Sequence, residues 1–406
     1  MMATPMPLHD VRRAGAAELG DALRESRRDT LATFDTYARG LAATLMNVPL
    51  RAELNPPLWE LGHVGWFQEY WIGRFPARRQ GPLADPDAPR TAPLRTNADA
   101  LYNSSRVAHD SRWSLPLPDA DTTRAELATQ LEQTLALLAD TPAGDDGLYF
   151  FRLALLHEDM HHEAALYMAQ ALGLPVDDVR WQPAATTGKR AEVALAAGRF
   201  SVGHDGAGFA FDNELAAHAV DAAPCRIDSR VLSWAEYLPF VEAGGYADPQ
   251  WWSDAGRRWL AQSSPAAPRY LRADGGGAWQ QWRHGQWQAL DLALPACHLS
   301  GHEAAAWCAW AGRRLPGETE WERAAVERPG EFAWGQVWEW TASDLVPYAG
   351  FTPHPYRDYS APWFGQRRVL RGASLATQPR LRHPRYRNFY APERNDIYAG
   401  FRSCAA

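Results

Sequence analysis

Apolar residues recur at helical spacing through roughly the first 175 residues and lose that rhythm afterwards. The segments Leu19–Leu45, Pro56–Phe75, Thr123–Asp140 and Gly147–Gly173 each carry an apolar stripe of this kind. Pro56 and Pro57 stand at the start of the second, where proline is tolerated. In the third, Thr122 or Thr123 is available as N-cap, with Glu126 placed to close a capping box on Thr123. The fourth runs for roughly seven turns and stops at Gly173, with Pro175 just beyond. Four such stripes predict a four-helix bundle over residues 10–178. The proline-rich connection from Arg74 to Asp121 is too long for a bundle turn and reads as a functional loop.

From residue 179 to 406 helical periodicity survives only in short pieces, Ser233–Gly245 and Ser300–Gly312. The rest is glycine, tryptophan, arginine and proline with short apolar runs. Fifteen of the 19 tryptophans lie from Trp181 onward. This texture predicts a second, mixed α/β domain with little regular structure, held by aromatic packing and side-chain hydrogen bonds. A chain of 406 residues needs more than one core in any case. The fold class expected is α+β multidomain, helical first and mixed second.

Composition narrows the partners. With 46% hydrophobic and 22% charged residues the chain is of ordinary globular type. A net charge of -7 argues against nucleic acid, which wants a basic surface. There is no apolar run of membrane-spanning length, and the N-terminal stretch lacks an apolar leader core. The expected setting is cytoplasmic, with no membrane partner. Cys225, Cys297, Cys308 and Cys404 are scattered without a CxxC pair and read as reduced, buried thiols.

The chemistry-bearing residues lie in the second and fourth helices. His157 and His161 have i, i+4 spacing, so both imidazoles leave one helix face. Around them Glu158, Asp159, His162 and Glu163 follow a run of apolar residues, a density of polar groups that is costly to bury unless something binds there. His162 lies about 100° further round and faces elsewhere. Glu163 is placed to orient a ligand histidine. His63, mid-helix among Trp59, Trp66, Phe67 and Trp71, supplies a third imidazole if the two helices face each other. A core histidine donating to a carbonyl is the competing reading for that position. Three protein imidazoles would close one face of an octahedron and leave the other open for O2 and substrate. They would equally suit zinc in a thiol transferase or hydrolase, and residue types alone leave iron and zinc both open.

Beyond spacing, the segments "GHVGWFQEYW" and "HEDMHHE" resemble the DinB-like helical domain of the ergothioneine sulfoxide synthases, whose pattern is HVxWFxE followed by HxxxHxE. The second half resembles the formylglycine-generating-enzyme (sulfatase-modifying factor) fold, of C-type-lectin-like character. The matching stretches are Cys297–Ala325, Gly335–Phe351, Arg368–Arg394 and Ala399–Cys404. The resemblance implies Fe(II) held by His63, His157 and His161. It implies an oxidoreductase that uses O2 to join sulfur or selenium to imidazole C2 of hercynine. It implies a proton-donating tyrosine beside the iron, for which Tyr356 and Tyr359 are the candidates. It places Asn388 against an end of hercynine and Phe389 and Tyr390 in the pocket wall.

Two positions depart from the branch of the family that uses γ-glutamylcysteine. Tyr390 stands where that branch has an acid, and Met160 stands where it has a glutamine, while Arg394 remains. The loop "YNSSRVAHDSRWSLPLP" is similar to that of the selenoneine synthases, which use a selenosugar, and it offers Arg106 and Arg112 toward a donor. The resemblance therefore implies C–Se bond formation from a selenosugar. C–S bond formation from γ-glutamylcysteine or cysteine is the alternative. Formylglycine generation is not expected, because that chemistry needs a cysteine pair near the end of the domain and only Cys404 lies there.

Overall fold

The structure is a computed structural model and describes residues 10–406; the first nine residues of the stretch inspected for a leader lie outside the described residues. The helical part is built from α1 (Ala16–Gly40), α2 (Pro57–Gln68), a short α3 (Ala98–Tyr102), α4 (Ala120–Ala139) and α5 (Asp145–Leu172). Pro57 sits in the first turn of α2, where its missing N–H costs nothing. Every residue from Trp59 to Gln68 is buried, so α2 is the central helix, and it runs on through a π turn, Glu69–Gly73. No helix among the described residues is long and apolar enough to cross a membrane.

The start of α4 differs from the expectation. Its N-cap is Asp119, whose Oδ1 accepts the Thr122 amide at 2.8 Å. A carboxylate caps as well as a hydroxyl, so the helix begins one turn earlier. The Thr123 hydroxyl instead donates to the Asp119 carbonyl, and Glu126 binds Arg95. α5 ends as expected at Gly173, where φ is +71° and a Cβ would stand 3.1 Å from the Cα of Gly285. Only glycine meets both demands. The connection between α2 and α4 is strapped down: Arg74 makes a bidentate pair with Asp99, and Glu69 accepts the Leu94 amide at 2.6 Å.

The second half contains, among the described residues, strands of two to seven residues in four small sheets. β1 (Glu192–Leu195), β4 (Cys225–Asp228), β8 (Arg313–Arg314) and β13 (Cys404–Ala405) form one, in the order β1-β4-β13-β8. β9 (Trp338–Asp344), β10 (Arg368–Arg371), β11 (Asn388–Tyr390) and β12 (Ala399–Gly400) form another, in the order β11-β10-β9-β12, with only β9 and β12 parallel. β2 (Gly198–Val202) pairs with β3 (His218–Ala222), and β5 (Leu271–Ala273), β6 (Trp279–Arg283) and β7 (Gln286–Ala289) make a meander. α6 (Trp234–Glu242), α7 (Asp254–Ser263), α8 (Gly301–Trp310) and α9 (Glu318–Glu327) pack around them. Sheets this small bury little by themselves, and large side chains do the joining. Glu339 holds Arg402 and accepts from Trp321 Nε1 at 2.8 Å, while Trp340 Nε1 donates to the Leu299 carbonyl at 2.7 Å. All four cysteines are free and buried.

Trp338 does something else. Its Nε1 donates at 2.7 Å to Glu163 on α5, which also accepts from Ser374 Oγ and Thr377 Oγ1, each at 2.6 Å. Glu163 thus joins the halves, and this corrects the expectation that it orients a ligand histidine. The other buried acids of α5 are matched as well: Glu158 by Arg27, and Asp159 by Arg380 and Ser26. Replacing Glu163 by alanine would orphan three buried donors at once. At about 1–3 kcal/mol for each unsatisfied group, Glu163→Ala should lose at least 3 kcal/mol, roughly, in urea unfolding. A loss below about 1 kcal/mol would show that water replaces the carboxylate without cost.

Candidate metal centre

α2 and α5 lie side by side, and His63 meets His157 and His161 across them. One ligand atom from each can be chosen so that all lie within 4.8 Å of one another. The ring centroids are 4.5–5.2 Å apart. His63 Nδ1 bonds the Tyr102 carbonyl at 2.8 Å and His161 Nδ1 bonds Glu60 Oε2 at 2.6 Å. Each bond orients its ring and leaves Nε2 with a lone pair. His63 therefore satisfies both sequence readings: it donates to a carbonyl and belongs to the cluster. His157 lies flat on Phe67, centroids 3.5 Å apart, and its Nδ1 is buried without a partner. Burial pushes His63 down to about 3 and His157 well below the usual histidine range. Both are neutral at pH 7, which is the ligating form. A divalent transition metal fits this donor set. His162 turns away to Thr33 Oγ1 at 2.9 Å, as its angular position on the helix requires.

His63 is also the middle of a stack. Arg112 lies 3.8 Å over Trp59, which stacks on His63 at 4.7 Å; on the other side come Trp66 at 5.7 Å, Tyr70 and finally Arg90. The spacing along α2 puts these rings on one face, and the guanidinium groups close both ends. Arg112 is further fixed by Asn55 Oδ1 at 2.8 Å.

Tyr356 comes edge-on to His157, centroids 6.1 Å apart, and to Phe67 at 5.0 Å. Burial, and after it the charge of Asp358, push its phenol well above the ordinary value, so it holds its proton at neutral pH. Tyr359 is set back from the histidines, stacked on Phe211. Its hydroxyl donates to Tyr386, whose own hydroxyl donates to Met160 Sδ at 3.3 Å. The segment carrying both tyrosines is pinned at its two ends by Asp212, through the His354 amide and the Ser360 hydroxyl. His354 is held in turn by the Tyr149 hydroxyl at 3.0 Å.

The remaining positions divide. Phe389 packs against Tyr359, and Tyr390 lies 5.2 Å from the Arg394 guanidinium. Arg394 itself is bound by both oxygens of Asp396 at 2.6 Å. The Asn388 amide oxygen accepts the Phe389 N–H at 2.9 Å. Arg106 is exposed, away from this group, at a cleft described below. Sequence reading passed over Glu60, Tyr102, Tyr386 and Asp212. Glu60 was accessible in principle, one turn before His63 on the same helix; the other three act through contacts between distant segments.

Residues 22–165 match the family model of the DinB superfamily, and residues 178–336 match that of the sulfatase-modifying factor enzyme 1-like domain. A helical domain of the first type with a three-imidazole cluster, followed by a domain of the second, defines the class. Hercynine oxygenases of Mycolicibacterium smegmatis and Mycobacterium tuberculosis are each 32% identical to the chain, over 86% of it and 90% of their own length. A formylglycine-generating enzyme of Streptomyces coelicolor is 28% identical over 50% of the chain and 82% of its own length. The chain belongs to the hercynine oxygenase family.

Two measurements check this geometry. Metal analysis after reconstitution with Fe(II) should find His63→Ala, His157→Ala and His161→Ala each strongly depleted, and His162→Ala loaded as the parent; full loading of His63→Ala would remove that residue from the centre. The second concerns Asp212, whose carboxyl burial pushes up to about 6. The folded state then keeps a proton that an unfolded aspartate releases near pH 4. That stabilisation is present in full below about pH 4 and is lost as pH rises through about 6. Unfolding free energy should therefore fall between pH 4 and 7 by up to roughly 3 kcal/mol more in the parent than in Asp212→Asn. Parallel curves for the two proteins would contradict the shift.

Proposed function

We propose that the chain is a non-haem Fe(II)- and O2-dependent oxidoreductase that forms a bond between a chalcogen and imidazole C2 of hercynine, with a selenosugar as donor. The first part rests on family membership and on the cluster of three imidazoles, of which His63 and His161 are oriented from behind. Bound Fe(II) would supply the one-electron chemistry that activates O2. The overall balance breaks the donor's chalcogen–hydrogen bond and the C2–H bond and forms the C2–chalcogen bond. One oxygen atom of O2 ends on the chalcogen and the other leaves as water. Tyr356, protonated and against His157, would give a proton on this face. Phe389 and Tyr390 offer aromatic surface to a trimethylammonium group, an attraction of about 0.5–2 kcal/mol per ring. Met160 and Tyr386 keep the floor of the site uncharged.

The donor is read from one observation. Arg394, the cation retained from the peptide-using branch, already holds Asp396 through two 2.6 Å bonds, and its neighbour Tyr390 is a phenol where that branch has an acid. A neutral sugar needs no such charges. A thiol donor, γ-glutamylcysteine or cysteine, is the second reading, favoured by the identity to the hercynine oxygenases. Aerobic assays with Fe(II), hercynine and each donor separate them. A 1-seleno-sugar should give a kcat/KM at least tenfold above that of γ-glutamylcysteine, a discrimination of about 1.4 kcal/mol. A higher kcat/KM with γ-glutamylcysteine overturns the selenium reading and leaves the family reaction standing.

A further inference from the structure

A polar cleft of about 240 Å3 opens beside Tyr356 on the Tyr70 side of the aromatic stack, away from the Arg112 end. Its inner end is Phe67 and Tyr356, the two rings that touch His157. One wall is the stretch Asn103–Arg106 of the long connection, and the other is Pro355–Asp358. Trp66 and Tyr70, 4.8 Å apart, add aromatic surface between them. Ser105 donates to Asp358 and so ties the two walls, and Arg357 pairs at 3.0 Å with Asp87, a further lining residue.

We propose that this cleft binds the glycosyl part of the chalcogen donor, a pyranose with free hydroxyl groups. The inference rests on the donor reading above and adds the place and the groups. The cleft holds two arginines, Arg106 and Arg357, and two aspartates, Asp87 and Asp358, so its charges cancel. A peptide with two carboxylates would meet no surplus of positive charge there, whereas a polyhydroxyl ring meets carboxylate acceptors, guanidinium donors and the Ser104 hydroxyl. Aromatic faces beside planar polar groups suit a ring that is apolar on its C–H faces and polar round its edge. A sugar seated with its anomeric carbon at the inner end would bring a selenium atom on C1 to Phe67 and Tyr356, the lining rings that contact His157.

The test uses the full-length enzyme and two variants of the wall. Ser104→Trp fills the cleft, and Arg106→Ala removes an exposed donor whose loss leaves the fold intact; melting temperatures verify both proteins. With Fe(II) and saturating hercynine, the KM for a 1-seleno-sugar should rise at least tenfold in Ser104→Trp and at least threefold in Arg106→Ala, with the KM for hercynine within twofold of the parent. In metal-free protein, saturation-transfer NMR signals of 1-thio-β-glucose should be present for the parent and weakened in both variants. If Ser104→Trp does not fold, Arg106→Ala decides by the same two readouts. Unchanged sugar KM and NMR signal in the folded variants, with seleno-sugar turnover intact in the parent, overturn the cleft and spare the donor reading. If the parent neither binds the thiosugar nor turns over the seleno-sugar, yet uses γ-glutamylcysteine, the donor reading fails and the cleft proposal falls with it.

Discussion

Helix α5 must carry six polar side chains within two turns through the interior, and the rest of the molecule is arranged to meet that demand. From His157 to Glu163 only Met160 is apolar, and most of these groups are buried. An unpartnered buried charge or amide costs several kcal/mol. Most of these groups therefore draw partners from elements packed around α5: Arg27, Ser26 and Thr33 from α1, Arg380 and the Ser374–Thr377 turn from the second half, Glu60 from α2. The face that carries the candidate metal ligands is what these pairings leave over. His157 keeps a buried nitrogen without a protein partner.

The same pairings set the geometry of the site. Glu163, two residues beyond His161, anchors the second half directly to the helix that bears the histidines, so the strands and the imidazoles share one frame. Asp212 then fixes both ends of the segment that brings Tyr356 against His157. Met160 lies under the phenol chain of Tyr359 and Tyr386. A site placed between two halves in this way is only as well ordered as the buried carboxylates that tie them, and low local dielectric makes those ties strong. The aromatic stack along α2 has a similar role for His63, whose ring is held from both faces as well as through Nδ1.

Much was legible in the chain. Period and caps gave the long helices, with Gly173 as a stop, because those signals are local and 3.6-residue spacing survives any packing. The i, i+4 histidine pair and the off-face direction of His162 follow from helix geometry alone. The start of α4 was misplaced because Asp119 and Thr123 are both good caps and sequence does not rank them. Glu163 was misassigned because a carboxylate near histidines can serve either a ligand or a distant donor, and only the position of Trp338, Ser374 and Thr377 decides which.

By itself, then, the sequence determined the helical first half, the tryptophan- and arginine-rich second half with little regular structure, and which imidazoles leave one face of α5. Tertiary structure decided that His63 joins them, that Glu60 and the Tyr102 carbonyl orient the rings, that Tyr356 rather than Tyr359 lies against His157, and that Arg394 is engaged by Asp396. The physical reason is one of range. Helix periodicity is written in neighbours three and four residues apart, whereas a hydrogen bond between residues 39 or 211 positions apart depends on how whole elements pack.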